Sequence, residues 1–219
     1  MFVNISHRPI TRSPCHVVYR LAGSIPKDKL VALREKRHRE IQKLERNLLG
    51  YDVNHGMLKR NKILRNIYQE LGRQLDQLLN STHKGPLYLQ QPTIRRVVLD
   101  SWNFLAREGS VELLVCCVMG NHVHVLLDVP ASKDQVDLGK VMQRHKSYTA
   151  QVANQFLGRT GKPFWAANYF DREVRPQKLN RVIWYILNNP WKAGLVNSWR
   201  EWPGIFVHAD YRELFSTDQ

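Results

Sequence analysis

Two apolar runs separated by two turn-forming residues constrain this chain more than any other feature. Leu113 to Met119 is unbroken apolar sequence, too short for a typical helix. Gly120-Asn121 follows, and then His122-Val123-His124-Val125-Leu126-Leu127-Asp128. A two-residue Gly-Asn link between such runs predicts a β-hairpin. Strand alternation then puts His122 and His124 on one face, with Val123 and Val125 on the other.

The rest of the chain is arranged around that hairpin. Cys15 to Leu21 is short, apolar and β-branched, which predicts a first strand. Residues 27–82 differ in character: Lys27 to Leu49 is dense in Lys, Arg and Glu, and Leu64, Ile67, Tyr68, Leu71, Leu75 and Leu78 keep helical spacing. Breaks at Gly50-Tyr51-Asp52 and His55-Gly56 divide the segment into an inserted helical hairpin. Pro92 fits a helix start, and Ile94, Val97, Val98, Trp102 and Leu105 mark one face of a helix ending near Gly109. Ser132 with Gln135 reads as a capping box for a helix to about Phe156. Tyr169 to Val174 predicts a strand and Gln177 to Asn189 a last helix.

Without the insertion the order is strand, helix, strand, strand, helix, strand, helix. That order predicts an α+β, ferredoxin-like (RRM-like) antiparallel sheet with helices on one face and the other face open. The expected division is a catalytic domain of residues 1–26 and 83–219, with the helical hairpin 27–82 inserted in it.

Charge narrows the partner. Thirty-three Lys and Arg against 19 Asp and Glu give a net +14. Such a field favours a polyanion, with nucleic acid or an acidic membrane surface as the candidates. No apolar stretch reaches membrane-spanning length, and Met1 to Ile10 lacks the apolar core of a signal peptide. Cys15, Cys116 and Cys117 have neither metal-ligand nor disulfide spacing, which fits a reducing compartment. A cytoplasmic protein without membrane association is expected.

Three residue types then bear on chemistry. Two histidines two apart on a strand can ligate one divalent ion, although the same pair is often merely solvent-facing. In the last helix Val182, Ile183 and Ile186 point one way, and Arg181, Tyr185, Asn188, Asn189 and Lys192 share a polar side. Tyr185 is either a nucleophile or a surface tyrosine with a solvated hydroxyl. A phenol, with a solution pKa near about 10, needs a metal or base to attack at neutral pH. An ion on His122 and His124 could polarise a phosphate for it, with Asn189 adding a hard oxygen ligand.

These residues resemble a known family. Gly120-Asn121-His122-Val123-His124-Val125-Leu126-Leu127 is similar to the His-hydrophobe-His motif of the single-tyrosine HUH transposases. Phe164-Trp165, Tyr169 to Val174, and Tyr185 to Val196 resemble that group's C-terminal block, most closely in the REP-associated tyrosine transposases. Cys15-His16-Val17-Val18 resembles the group's first strand. The resemblance implies His122 and His124 as ligands of Mg²⁺ or Mn²⁺, Asn189 as third ligand and Tyr185 as nucleophile. It also implies a 5′-phosphotyrosine intermediate with a free 3′-hydroxyl, formed on single-stranded hairpin DNA by a monomer or homodimer. Two positions depart from the pattern: Gly120 stands where relatives usually carry proline, and Ala166 where glutamine is common.

Further candidates are weaker in sequence. His16 and Arg20 share one face of a strand beside the His-Val-His strand, within reach of either the site or DNA. Arg144, His145, Lys146, Arg181 and Lys192 are candidate phosphate contacts. Trp165, Trp184, Trp191, Trp199 and Trp202 could stack bases, though core packing suits most of them. Gly158 to Lys162 lacks phosphate-loop spacing. The alternatives to a strand transferase are a domesticated DNA-binding protein that no longer cuts, and an RNA-binding module of the same architecture. Binding alone needs none of His122, His124, Tyr185 and Asn189. An RNA module would carry exposed aromatics where the two histidines stand.

Overall fold

The Gly120-Asn121 hairpin lies at the middle of the sheet. The computed structural model describes residues 9–48, 53–81 and 85–215. In chain order the strands are β1 (Cys15–Arg20), β2 (Glu112–Val118), β3 (His122–Asp128), β4 (Phe170–Glu173) and β5 (Ile205–Val207). The helices are α1 (Lys27–Leu48), α2 (Val53–Ser81), α3 (Pro92–Arg107), α4 (Leu138–Phe156), α5 (Leu179–Leu187), α6 (Asn189–Lys192) and α7 (Ala209–Arg212). The chain divides into two compact units, residues 23–85 and the remainder.

The sheet order is β4-β1-β3-β2-β5, antiparallel throughout. The first four strands make the ferredoxin-like arrangement expected from the element order. β5 adds a fifth strand at the β2 edge; three residues are too few to give a periodic signal in sequence.

At the hairpin tip the Met119 N–H donates to the His122 carbonyl at 2.9 Å. Neither turn residue has a positive φ, so the turn is not of the primed type usual for two-residue hairpins. Gly120 serves close packing instead: a Cβ there would stand 3.1 Å from Gln90 Cγ and 3.3 Å from Leu87 Cδ2. The Gly120 and Asn121 carbonyls accept from the N–H groups of Leu89 and Leu21 at 3.2 and 2.9 Å.

Alternation sorts the strands onto two cores. Val17 and Tyr19 of β1, Cys116 and Val118 of β2, and Val123, Val125 and Leu127 of β3 face α3 and α4. There Trp102, Ile94 and Val98 of α3 meet Leu138 and Met142 of α4. A register slip between Leu113 and Val115 turns both Leu114 and Val115 to the second face. On that face Val182, Ile183, Ile186 and Leu187 of α5 pack against Leu114, Cys117 and Leu126. The two crossover helices thus cover one face as expected, and α5 covers part of the other. The unbroken apolar run of β2 is what a strand buried on both sides requires.

Two local expectations change. Helix α4 starts at Leu138, where Asp137 caps it by accepting from the Lys140 N–H at 3.1 Å, and Ser132-Gln135 lies in the preceding loop. His55-Gly56 falls inside α2, while Gly50-Tyr51-Asp52 lies outside the described residues. In the second unit α1 and α2 pack on each other as a helical hairpin, with Leu44 and Leu79 buried.

Candidate active site

β3 presents His122 and His124 to the second sheet face, where they are 1% and 0% exposed. That burial disposes of the solvent-facing alternative for the pair. Their Nε2 atoms stand 3.1 Å apart. Nitrogen donors on one divalent ion, each at about 2.1 Å, are roughly 3 Å from each other, so the pair fits a shared cation. His122 Nδ1 lies 2.6 Å from Asn121 Oδ1. A carbonyl oxygen only accepts, so Nδ1 carries the hydrogen, and in the neutral ring Nε2 then keeps its lone pair. Sequence reasoning took Asn121 for a turn residue alone. An amide directly before a strand histidine is the signal that was there to find.

His16 comes from β1, whose register sets it across from Leu126 and diagonal to His124. Its Nε2 is 3.2 Å from His124 Nδ1. The two rings are nearly coplanar, 17° apart, with centroids 5.4 Å apart. Among the two alternatives for His16, the structure sets it against the histidine pair. Arg20, opposite His122 in the register, donates to the Leu21 carbonyl at 3.3 Å.

α5 brings in Tyr185. Its apolar side, Val182, Ile183 and Ile186, is spent on the sheet, which leaves Tyr185 half-buried at the margin of that contact. The Tyr185 ring is edge-on to both His124 and His16, at centroid distances of 5.9 and 6.2 Å. Lys192 Nζ lies 4.9 Å from the centre of the same ring. Arg181 is exposed one turn earlier.

Asn189 is buried at the end of α5. Pro190 has no N–H for the Ile186 carbonyl. The Asn189 Nδ2 donates there at 3.4 Å and to the Tyr185 carbonyl at 2.9 Å. Its amide nitrogen is therefore engaged with the helix end, and Oδ1 is the atom it could offer a cation.

Arg144, His145 and Lys146 are not brought to this site. They stand on α4, the layer across the sheet, where Arg144 makes a two-pronged pair with Glu108 at 2.6 and 3.1 Å. Lys146 donates to the Ala166 and Ala167 carbonyls, each at 2.8 Å, and burial lowers its pKa to about 8. His145 is buried between Tyr19 Oη at 2.6 Å and Ser101 Oγ at 2.9 Å, and burial, with Lys146 adding, lowers its pKa to about 3. It is a neutral core histidine. Of the five candidate stacking tryptophans only Trp191 is exposed, at 54%.

An α+β sheet with a buried strand pair of imidazoles facing a helix tyrosine is the class that fold and geometry define together. Comparison with known proteins narrows it. Residues 88–189 match the model of the IS200-like transposase family, the family that the motifs resemble, over the segment that holds most of them. A Haemophilus influenzae protein named as a REP-associated tyrosine transposase is 25% identical over 116 residues, 49% of this chain. The chain spans 65% of that relative's length. A solved structure of a REP-associated tyrosine transposase bound to a REP hairpin superposes with a TM-score of 0.53 at 13% identity. That likeness covers 99% of this chain and 89% of the other, and it establishes the shared fold. Among the described residues no helix is long and apolar enough to cross a membrane.

Proposed function

We propose that this chain is a REP-associated type of tyrosine transposase, which nicks and rejoins single-stranded hairpin DNA through Tyr185. The observation that carries the proposal is convergence: the Tyr185 ring lies 5.9 Å from that of His124, whose Nε2 is 3.1 Å from that of His122. The family match and the hairpin-bound structural neighbour support the substrate class.

In this mechanism His122 and His124, with Asn189 Oδ1, would hold Mg²⁺ or Mn²⁺, which would supply Lewis acidity at the scissile phosphate. Tyr185 Oη attacks phosphorus and gives up its proton to solvent, forming the 5′-phosphotyrosine bond. The bond from phosphorus to the 3′-oxygen breaks, and that oxygen takes a proton to leave as a 3′-hydroxyl. Attack of a 3′-hydroxyl on the phosphotyrosine reverses the step, so the bond energy is kept and no nucleotide cofactor is consumed. Lys192, over the Tyr185 ring, offsets the negative charge that collects there, and Arg181 holds a flanking phosphate. Trp191 offers an open stacking face for an unpaired base beside the cleavage point.

The test is a hairpin-bearing single strand incubated with the protein and Mn²⁺, then resolved by denaturing electrophoresis. A covalent protein–DNA species is expected, and Tyr185→Phe should lose it while binding the strand within about threefold of the parent. An adduct retained by Tyr185→Phe excludes this nucleophile; binding by the parent with no adduct identifies a protein that binds without cutting.

A further inference from the structure

We propose that His16 is the orienting partner of His124: it accepts the Nδ1 hydrogen of that ring and so keeps Nε2 as a lone-pair donor beside His122. The inference rests on the metal-binding role proposed above for His122 and His124, and it assigns His16 a place other than a DNA contact.

The two imidazoles of β3 are held in matching ways. Each has its Nδ1 against one partner, Asn121 Oδ1 at 2.6 Å for His122 and His16 Nε2 at 3.2 Å for His124. Each has its Nε2 against the other ring, 3.1 Å away. A neutral imidazole that gives one nitrogen to a metal must carry its hydrogen on the other. The partner of that hydrogen fixes both the tautomer and the ring plane, and metal-ligating histidines characteristically have one. For His124 the atom in that position is His16 Nε2. His16 is only 3% exposed, so it is not a surface cation awaiting a phosphate.

The fold explains how a residue 108 positions away comes to do this. Cα pairing of His16 with Leu126 and of Val18 with His124 sets the two imidazoles on one face, one pair apart on the diagonal. His16 also meets Tyr185 edge-on, at 6.2 Å. One ring therefore touches a ligand and the nucleophile together. It lies outside residues 88–189, the segment that the family model matches.

Mn²⁺ binding by the full-length protein, followed through the EPR signal of free Mn²⁺, tests the assignment without reference to cleavage. His16→Phe fills the space but accepts no hydrogen bond, and its dissociation constant should rise about 10- to 100-fold. His16→Gln, whose Oε1 can accept the same hydrogen, should stay within about threefold of the parent. A His16→Phe protein that binds Mn²⁺ as the parent does, while His122→Ala loses binding, overturns the role of His16 and leaves the metal site standing. Parent and His122→Ala binding alike would remove the metal site, and this inference with it. Ring ¹⁵N–¹H correlation spectra of the parent protein with Zn²⁺ decide the matter even if His16→Phe does not fold. The hydrogen is expected on Nδ1 of His124, and finding it on Nε2 refutes the assignment.

Discussion

Pro190 brings no N–H to the end of α5, and the Asn189 side chain adds a donor there. Its amide donates to the Tyr185 and Ile186 carbonyls, so the residue expected as a third ligand also fastens the turn that carries the proposed nucleophile. Asn189→Ala is expected to cost about 1–3 kcal/mol in urea unfolding, the range for leaving a buried acceptor unsatisfied. Asn189→Asp, which keeps an oxygen but has no amide hydrogens, should be at least as destabilised. A second residue-scale expectation concerns His145, buried neutral, with its pKa lowered to about 3 by desolvation. In the unfolded chain the group protonates near about 6.5. The native state is therefore favoured above that value and loses stability as the pH falls from there towards 3. Urea midpoints at pH 7 and pH 4.5 should differ for the parent and differ less for His145→Phe. That variant starts from a lower value, because Tyr19 and Ser101 lose a partner.

At the scale of elements, the position of Tyr185 depends on how α5 beds into the sheet. Ile183 and Ile186 are fully buried in that contact. Ile183→Ala should cost about 2–4 kcal/mol and, if Tyr185 is the proposed nucleophile, lower the yield of adduct more than it lowers strand binding, since Tyr185 moves and the charged surface does not. β5 depends on a closer fit. A Cβ at Gly204 would stand 2.5 Å from the Val118 carbonyl oxygen and 2.7 Å from Trp202 Nε1. Gly204→Ala should therefore dislodge this edge strand, read as faster amide exchange at Val118, whose N–H donates to the Gly204 carbonyl at 2.8 Å. Periodicity told much of this in advance. His122 and His124 share a face because strand alternation is local, and Tyr185 stands opposite Ile183 because helical spacing is local. That Arg144 and Lys146 engage Glu108 and the Ala166 carbonyl was not legible, because those groups are brought near only by the fold. The Asp137 cap was missed because Ser132 and Gln135 made a better-looking signal a few residues early.

For the whole molecule, charge is the largest feature that the geometry of the site does not use. Residues 23–85 contain 14 Lys and Arg against 7 Asp and Glu, half of the net +14 in under a third of the length. Lys29, Lys36 and Arg46 are exposed along α1. If the proposed DNA partner lies against this unit, changing all three to Gln should reduce the slope of log affinity against log salt by about 2, at roughly 0.7 for each phosphate no longer neutralised. An unchanged slope would mark α1 as a solvated face. The order of the first four strands was legible because each long element carries its own period, but that α5 covers part of the second face was not, since β2 is apolar on both sides. The central claim is chemical, that one phenol takes up the DNA. Mass spectrometry of trypsin-digested adduct tests it directly: the account predicts a nucleotide on the peptide from Val182 to Lys192, whose only tyrosine is Tyr185. A nucleotide on any other residue would contradict it.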